Sequence, residues 1–321
     1  MSAQFDPDYF AVLEPLLPVL AKRSTLSIED IRTTRDARET GMVAFLARLP
    51  ECPDVEETVH HAEASDGYQI SVRSFTKKGA RSAPGPVLLH FHGGGMVLGS
   101  AELFAKPLSG LVSRTSVPIF SVNYRLAPEF QGTTPVEDCY ATLVWLHKNA
   151  QTLNIDPARI GVFGESAGGG LAVGVALMAR DRHLQPPLAK QILIYPMLDD
   201  QNMTANDIVE PLAFWKTADN VAAWTALLGD KAGQPNADVS PYAAPARAKS
   251  VAGLPVTYID VGELDIFRDE NMVFATRLLS ENIKTELHLY PGLPHAFELV
   301  APDIAPTQRA LQNRVNAILS F

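Results

Sequence analysis

The feature that most constrains this chain is Gly164-Glu165-Ser166-Ala167-Gly168, which directly follows the apolar run 160–163 and opens a stretch of small residues. As a bare pattern, G-x-S-x-G arises in about one in fifteen shuffled sequences of this composition, so the spacing alone decides nothing. Its setting does. Gly168, Gly169, Gly170, Ala172 and Gly174 let a helix lie close on a strand. A strand that turns abruptly into such a helix needs glycine on both sides of the turn, because side chains there collide. The serine hydroxyl is then lifted clear of the sheet, over the positive end of the helix. The bland alternative is a glycine-rich turn that packs helix on strand and does no chemistry.

The rest of the chain predicts the sheet that such a turn requires. Apolar runs at 87–91, 119–123 and 160–163 read as buried strands, and 191–195, 256–261 and 286–290 as three more. A helix is expected at 135–151, where Val136, Tyr140, Leu143, Val144 and His147 share a face. Alternation of this kind marks an α/β fold with a mostly parallel sheet covered by helices. Residues 1–52 read as a separate helical segment. Phe10, Leu13, Leu16, Leu17 and Leu20 recur at helical spacing, although Pro15 and Pro18 must bend or break the helix. A second helical run spans about 25–49, with Ser27 as its cap and Glu29 and Asp30 in its first turn. Residues 53–321 form the sheet-bearing unit. Within it, about 200–250 fits no strand pattern, holds Phe214, Trp215 and Trp224, and reads as a helical insertion.

Bulk properties narrow the function. A formal net charge of −9 argues against nucleic acid or an anionic membrane surface as a partner. The acidic start lacks the positive region of a secretory signal, and no run approaches the roughly 18 apolar residues of a membrane helix. Cys52 and Cys139 have no metal spacing around them and read as reduced thiols. A cytoplasmic protein is expected.

A second motif, His92-Gly93-Gly94-Gly95, follows the 87–91 run. It arises in about one in five hundred shuffled sequences, which makes it the more specific of the two. Consecutive glycines leave backbone N–H groups free to donate to an oxyanion, and losing one such donor costs roughly 3 kcal/mol of transition-state stabilisation. A phosphate loop is the competitor, but no Gly-Lys-Ser/Thr follows and no G-x-G-x-x-G opens a helix here. His92 reads as a structural residue shaping the loop, and His90 with His92 alone makes a poor metal site.

A serine needs a base to become nucleophilic. His295 is the best placed of eight histidines, in the loop Pro291-Gly292-Leu293-Pro294-His295 after the 286–290 run. His288 lies inside that strand, while His60, His61, His147 and His183 belong to structural segments. The acid belongs on a loop after an intervening strand, where it can fix the imidazole tautomer. Asp265 fits, following Gly262 at the start of a helix. Asp260 lies within the strand, Asp269 and Glu270 fall in the helix's first turn, and Glu263 is the remaining alternative.

Taken together, His92-Gly93-Gly94-Gly95, Tyr124-Arg125-Leu126-Ala127-Pro128-Glu129, Gly164-Glu165-Ser166-Ala167-Gly168-Gly169, Asp265 to Glu270 and His295-Ala296-Phe297 resemble the bacterial hormone-sensitive-lipase-like esterases, family IV of the lipolytic enzymes. The likeness runs from about residue 60 to the C-terminus. It implies an α/β-hydrolase fold, with a mostly parallel eight-stranded sheet flanked by helices and a helical cap. It also implies oxyanion donors on the backbone of Gly94, Gly95 and Ala167, and a Ser166–His295–Asp265 triad that needs no cofactor or metal. Short- to medium-chain acyl esters are the implied substrates, and pairing into a homodimer through an edge strand is implied as well. The chain departs from the family pattern at Met96, where an aromatic is usual, at Glu165, often aspartate, and at Ile266-Phe267, usually Pro-Leu. None of these displaces a triad residue. The same triad also serves a deacetylase, lactonase or amidase, and a receptor of the same fold that has lost its histidine does not turn over.

Overall fold

The computed structural model describes residues 3–21, 23, 25–79 and 83–320. Among these residues there are eight strands: β1 (Val55–Glu63), β2 (Gln69–Lys77), β3 (Gly85–Phe91), β4 (Ile119–Val122), β5 (Ile155–Glu165), β6 (Lys190–Ile194), β7 (Val256–Leu264) and β8 (Thr285–Pro294). They form one sheet in the order β1-β2-β4-β3-β5-β6-β7-β8. Only β2 runs against its neighbours; β4, β3 and β5 to β8 pair in parallel. This is the expected α/β-hydrolase sheet. Residues of β4 and β6 are buried throughout, as apolar strands covered on both faces must be.

The strand order reverses around β3, which has β4 on one side and β5 on the other. Crevices of open parallel sheets form at such a switch point, at the carboxyl ends of the strands. The glycine loop leaves β3 there and Ser166 leaves β5. Both are placed by topology before any side chain acts.

Several boundaries differ from those read in the sequence. β1 and β2 match none of the six runs. Glu56, Glu57, His60 and His61 leave β1 without an apolar run, and its pattern is that of an exposed antiparallel edge. β7 and β8 extend further than expected, to Leu264 and Pro294, with a register shift between Gly262 and Leu264. Gly262 permits this, since a Cβ there would collide with the Leu293 carbonyl. His295 therefore leaves the strand end itself rather than a preceding loop.

The N-terminal segment is helical and broken where its prolines demand, into Pro7–Leu13, the 3-10 turn Glu14–Leu16 and Leu17–Leu20. A longer helix follows at Ile31–Leu46. Ser27 does not cap it: its carbonyl accepts the Asp30 N–H in a turn before the helix, which leaves Glu29 and Asp30 outside the first turn. Met1, Ser2, Lys22 and Ser24 of this expected segment, and Phe321 at the other end, lie outside the described residues. The insertion contributes one regular α-helix, Thr217–Leu228, among turns. Among the described residues no helix is long and apolar enough to cross a membrane.

Candidate active site

Ser166 stands between β5 and the helix Ala167–Asp181, with φ 55° and ψ −120°. A non-glycine residue in that region stores about 1–3 kcal/mol of strain. The turn is closed by its glycines: a Cβ on Gly164 would strike the Gly168 carbonyl, and one on Gly168 would strike the Phe91 carbonyl of β3. The backbone N–H of Ser166 donates to the Ile194 carbonyl at 2.8 Å, and its own carbonyl accepts from Met197 at 2.9 Å. The turn is thus pinned to the end of β6.

The structure brings the three expected side chains together. His295 Nε2 lies 3.0 Å from Ser166 Oγ, and His295 Nδ1 lies 2.6 Å from Asp265 Oδ2. A carboxylate only accepts, so Nδ1 carries the proton and Nε2 is left to accept from the serine hydroxyl. Asp265 Oδ1 accepts from the Phe267 N–H at 2.9 Å, which fixes the carboxylate plane. Exposures are low: Ser166 7%, His295 5% and Asp265 1%. Such a buried chain keeps its electrostatics strong because little water screens it.

The other acids weighed from the sequence are engaged elsewhere. Asp260 pairs with Arg314 and accepts from the Tyr258 hydroxyl at 2.9 Å. Glu263 accepts from the Gly292 N–H at 2.8 Å, and Asp269 pairs with Arg268. Glu270 does more than face the helix dipole. It turns inward to accept from Leu198 N–H at 2.6 Å and Asn202 Nδ2 at 2.9 Å, and burial pushes its carboxyl well above the usual range. No sequence spacing announces that contact across 72 positions.

The glycine loop borders the nucleophile. A Cβ on Gly93 would lie 3.4 Å from Ser166 Cβ, and Gly94 and Gly95 adopt φ of 116° and 63°, which glycine takes without penalty. The N–H groups of Gly94, Gly95 and Ala167 have no protein acceptor among the described residues. His92 shapes the loop, as expected: its Nδ1 lies 2.9 Å from the Gly93 carbonyl, and its ring stacks on Tyr124 at 4.2 Å. Tyr124, in turn, donates 2.7 Å to the His92 carbonyl. His90 joins Ser121 of β4 to Glu165 of β5, at 2.8 Å on each side. Among the described residues no group of three His, Cys, Asp or Glu is placed to hold a metal ion. Cys52 and Cys139 are both free thiols.

Two segments touch the glycine loop and the residues that follow it. Arg35 of the helix Ile31–Leu46 donates to the Val97 and Ala127 carbonyls at 2.7 and 3.1 Å, and Glu39, one turn on, accepts from Gly99 N–H at 2.8 Å. From the insertion, Trp215 packs on the loop so closely that a Cβ on Gly95 would come within 3.0 Å of its Cζ2. Trp224 is fully buried in the main apolar core, and Phe214 lies beneath the Arg23 guanidinium at 4.8 Å. An open groove of about 640 Å³ runs between the N-terminal segment and the insertion helix, lined by Leu26, Ile28, Met203, Val221 and Ala222. A cavity of about 580 Å³ lies beyond Asp265, against Leu198, Asn202 and Glu270. Neither is lined by Ser166 or His295.

Known proteins resemble this chain throughout its length. A family model described as alpha/beta hydrolase fold (Abhydrolase_3) matches residues 88–299. Carboxylesterase NlhH of Mycobacterium tuberculosis is 32% identical over 272 residues, 80% of each chain. The arylesterase of Saccharolobus solfataricus is 29% identical over 262 residues, 79% of this chain and 81% of its own. Among solved structures, a bacterial heroin esterase superposes with a TM-score of 0.87 at 35% identity, covering 98% of this chain and 97% of that one.

Proposed function

The chain belongs to the Abhydrolase_3 family of α/β hydrolases, the hormone-sensitive-lipase-like or family IV esterases, and we propose that it hydrolyses carboxylic esters with Ser166 as nucleophile, His295 as base and Asp265 orienting that base. The observation that carries this is the unbroken chain of short contacts from Oγ to Nε2 and from Nδ1 to Oδ2.

Ser166 Oγ attacks the ester carbonyl while its proton passes to His295 Nε2. Negative charge on the carbonyl oxygen is met by the backbone N–H groups of Gly94, Gly95 and Ala167, and imidazolium charge by Asp265. His295 then gives its proton to the leaving alcohol, and the acyl-enzyme remains. Water, deprotonated by the same imidazole, releases the acid and restores the serine. Every proton is accounted for by one histidine, so no cofactor or metal enters the scheme.

The substrates are small-molecule esters with short to medium acyl chains. What supports this is the close roof: Trp215 against the oxyanion loop and the Arg35 contacts leave the nucleophile little exposed. In this reading residues 1–52 and about 200–250 are cap segments over a catalytic domain of residues 53–321. The enzyme acts in the cytoplasm, without nucleic acid or membrane insertion, and a second copy would pair through an exposed edge strand.

Two measurements test the assignment. A fluorophosphonate should add once to the wild-type protein, at Ser166, by intact mass and peptide mapping. Labelling elsewhere, or none, would remove the nucleophile assignment. A series of p-nitrophenyl esters should show kcat/KM falling beyond medium acyl length. A preference for long chains would contradict the close roof.

A further inference from the structure

Behind His295 lies a buried polar assembly that the ester chemistry does not use. Tyr195 leaves the end of β6 with φ 37°, its N–H bonded at 2.6 Å to the Asp260 carbonyl of β7. Its ring meets the His295 imidazole with centroids 4.4 Å apart and planes at 61°, and Phe267 meets the same imidazole at 5.2 Å and 77°. The Tyr195 hydroxyl donates at 2.5 Å to Glu298 Oε1, on the short helix Phe297–Val300. Arg314, from the helix Ala305–Leu319, donates to that same oxygen at 2.8 Å and to both Asp260 oxygens at 2.7 and 3.0 Å. Burial raises the Tyr195 phenol well above its ordinary range, so it remains a donor to Glu298.

Stability alone gives little reason for such an arrangement. Burying charged groups costs several kcal/mol of desolvation each, and a well-packed apolar cluster of similar volume serves a core as well or better. Position supplies a reason. A histidine side chain turns about two bonds, and here one orientation places Nδ1 at Asp265 and Nε2 at Ser166 together. Rings packed on the imidazole from two sides block the other orientations. Of those two rings, the tyrosine is itself fixed at its far end, by Glu298 and through Arg314 to β7 and the C-terminal helix.

We propose that Tyr195 is a positioning residue for the reaction: braced by Glu298 and Arg314, its ring holds the His295 imidazole in line between Asp265 and Ser166 while the proton is taken and returned. This inference rests on the triad assignment above. Displacing a reacting group by about 1 Å costs on the order of 100-fold in rate, which sets the expected scale.

The experiment compares wild type with Tyr195→Ala, Tyr195→Phe and Tyr195→Leu, and runs Ser166→Ala beside them. Steady-state kinetics on p-nitrophenyl acetate are paired with the downfield proton NMR signal of the Asp265–His295 hydrogen bond. Tyr195→Ala should lose about 100-fold in kcat with KM changed less than about threefold, and its downfield signal should broaden away. Tyr195→Phe keeps the ring and should recover kcat to within about tenfold of wild type, with the signal present. A folded Tyr195→Ala protein with kcat within about threefold of wild type and an intact signal would overturn the inference, as would a Tyr195→Phe loss equal to that of Tyr195→Ala. If Tyr195→Ala fails to fold, Tyr195→Leu decides by the same criteria. Activity retained in Ser166→Ala would instead remove the triad assignment beneath it, so the two failures are told apart.

Discussion

Arg38 Nη2 donates to Asp219 Oδ1 at 2.8 Å, joining the N-terminal helix to the insertion helix across 181 residues of chain. The same carboxylate oxygen accepts from the Leu26 N–H at 2.7 Å, and Arg23 approaches the other oxygen at 3.6 Å. Both members of the main pair are nearly fully buried. Breaking a buried pair by removing one partner costs about 3–5 kcal/mol, most of it the uncompensated charge left behind. Asp219→Ala should therefore loosen the packing of the N-terminal segment on the insertion helix. We expect faster proteolytic cleavage within the first 50 residues and a raised KM, with the strands of the sheet unaffected by circular dichroism. An unchanged cleavage rate would show that this pair does not hold the two segments together.

Gly94 takes φ 116°, and a Cβ there would collide with the Leu98 carbonyl. Gly94→Ala must shift the loop, and with it one of the donors assigned to the oxyanion. We expect kcat to fall by about 10²–10³ with KM little changed, because the missing stabilisation belongs to the transition state. Loss confined to KM would place Gly94 in ground-state binding instead.

Burial presses the His92 imidazole down to about 3, with the Gly93 carbonyl pulling the other way. The unfolded chain takes up a proton near 6.5, so between about 6.5 and 3 the unfolded state binds more protons at this residue than the folded one. His92 therefore makes stability fall as pH falls through that window. Relative to a His92→Gln variant, the wild type should be more stable at pH 7, and its advantage should shrink by about 1.4 kcal/mol per pH unit below about 6.5. Denaturant titrations at pH 7, 6 and 5 measure this. A difference constant with pH would mean that His92 is not a neutral, buried group in the folded protein.

Most of the sheet was legible because its central strands are short apolar runs, which parallel strands covered on both faces have to be. β1 escaped that test, since an edge strand carrying Glu56, Glu57, His60 and His61 has only one face to bury. The last two strand ends depart from the sequence pattern for a different reason. Pro291 and Gly292 signal a turn locally, yet pairing of Leu264 with Pro294 carries β8 past them. Local turn chemistry was overridden by a partner strand distant in sequence. At the site, Ser166 and the glycine loop announced themselves because backbone sterics there tolerate few residue types. Tyr195, Glu270, Arg35 and Asp219 left no such mark. Each acts through a contact with a residue more than 60 positions away, and an isolated tyrosine, glutamate, arginine or aspartate has many ordinary uses.

The central claim is that Ser166, His295 and Asp265 work as one unit, and the turnover numbers of three single variants on p-nitrophenyl acetate test it most directly. Ser166→Ala and His295→Ala should each lower kcat by roughly 10⁶-fold, and Asp265→Asn by less, about 10⁴-fold, with all three proteins folded as wild type. A folded Ser166→Ala or His295→Ala protein that kept more than about a few per cent of wild-type kcat would contradict the account.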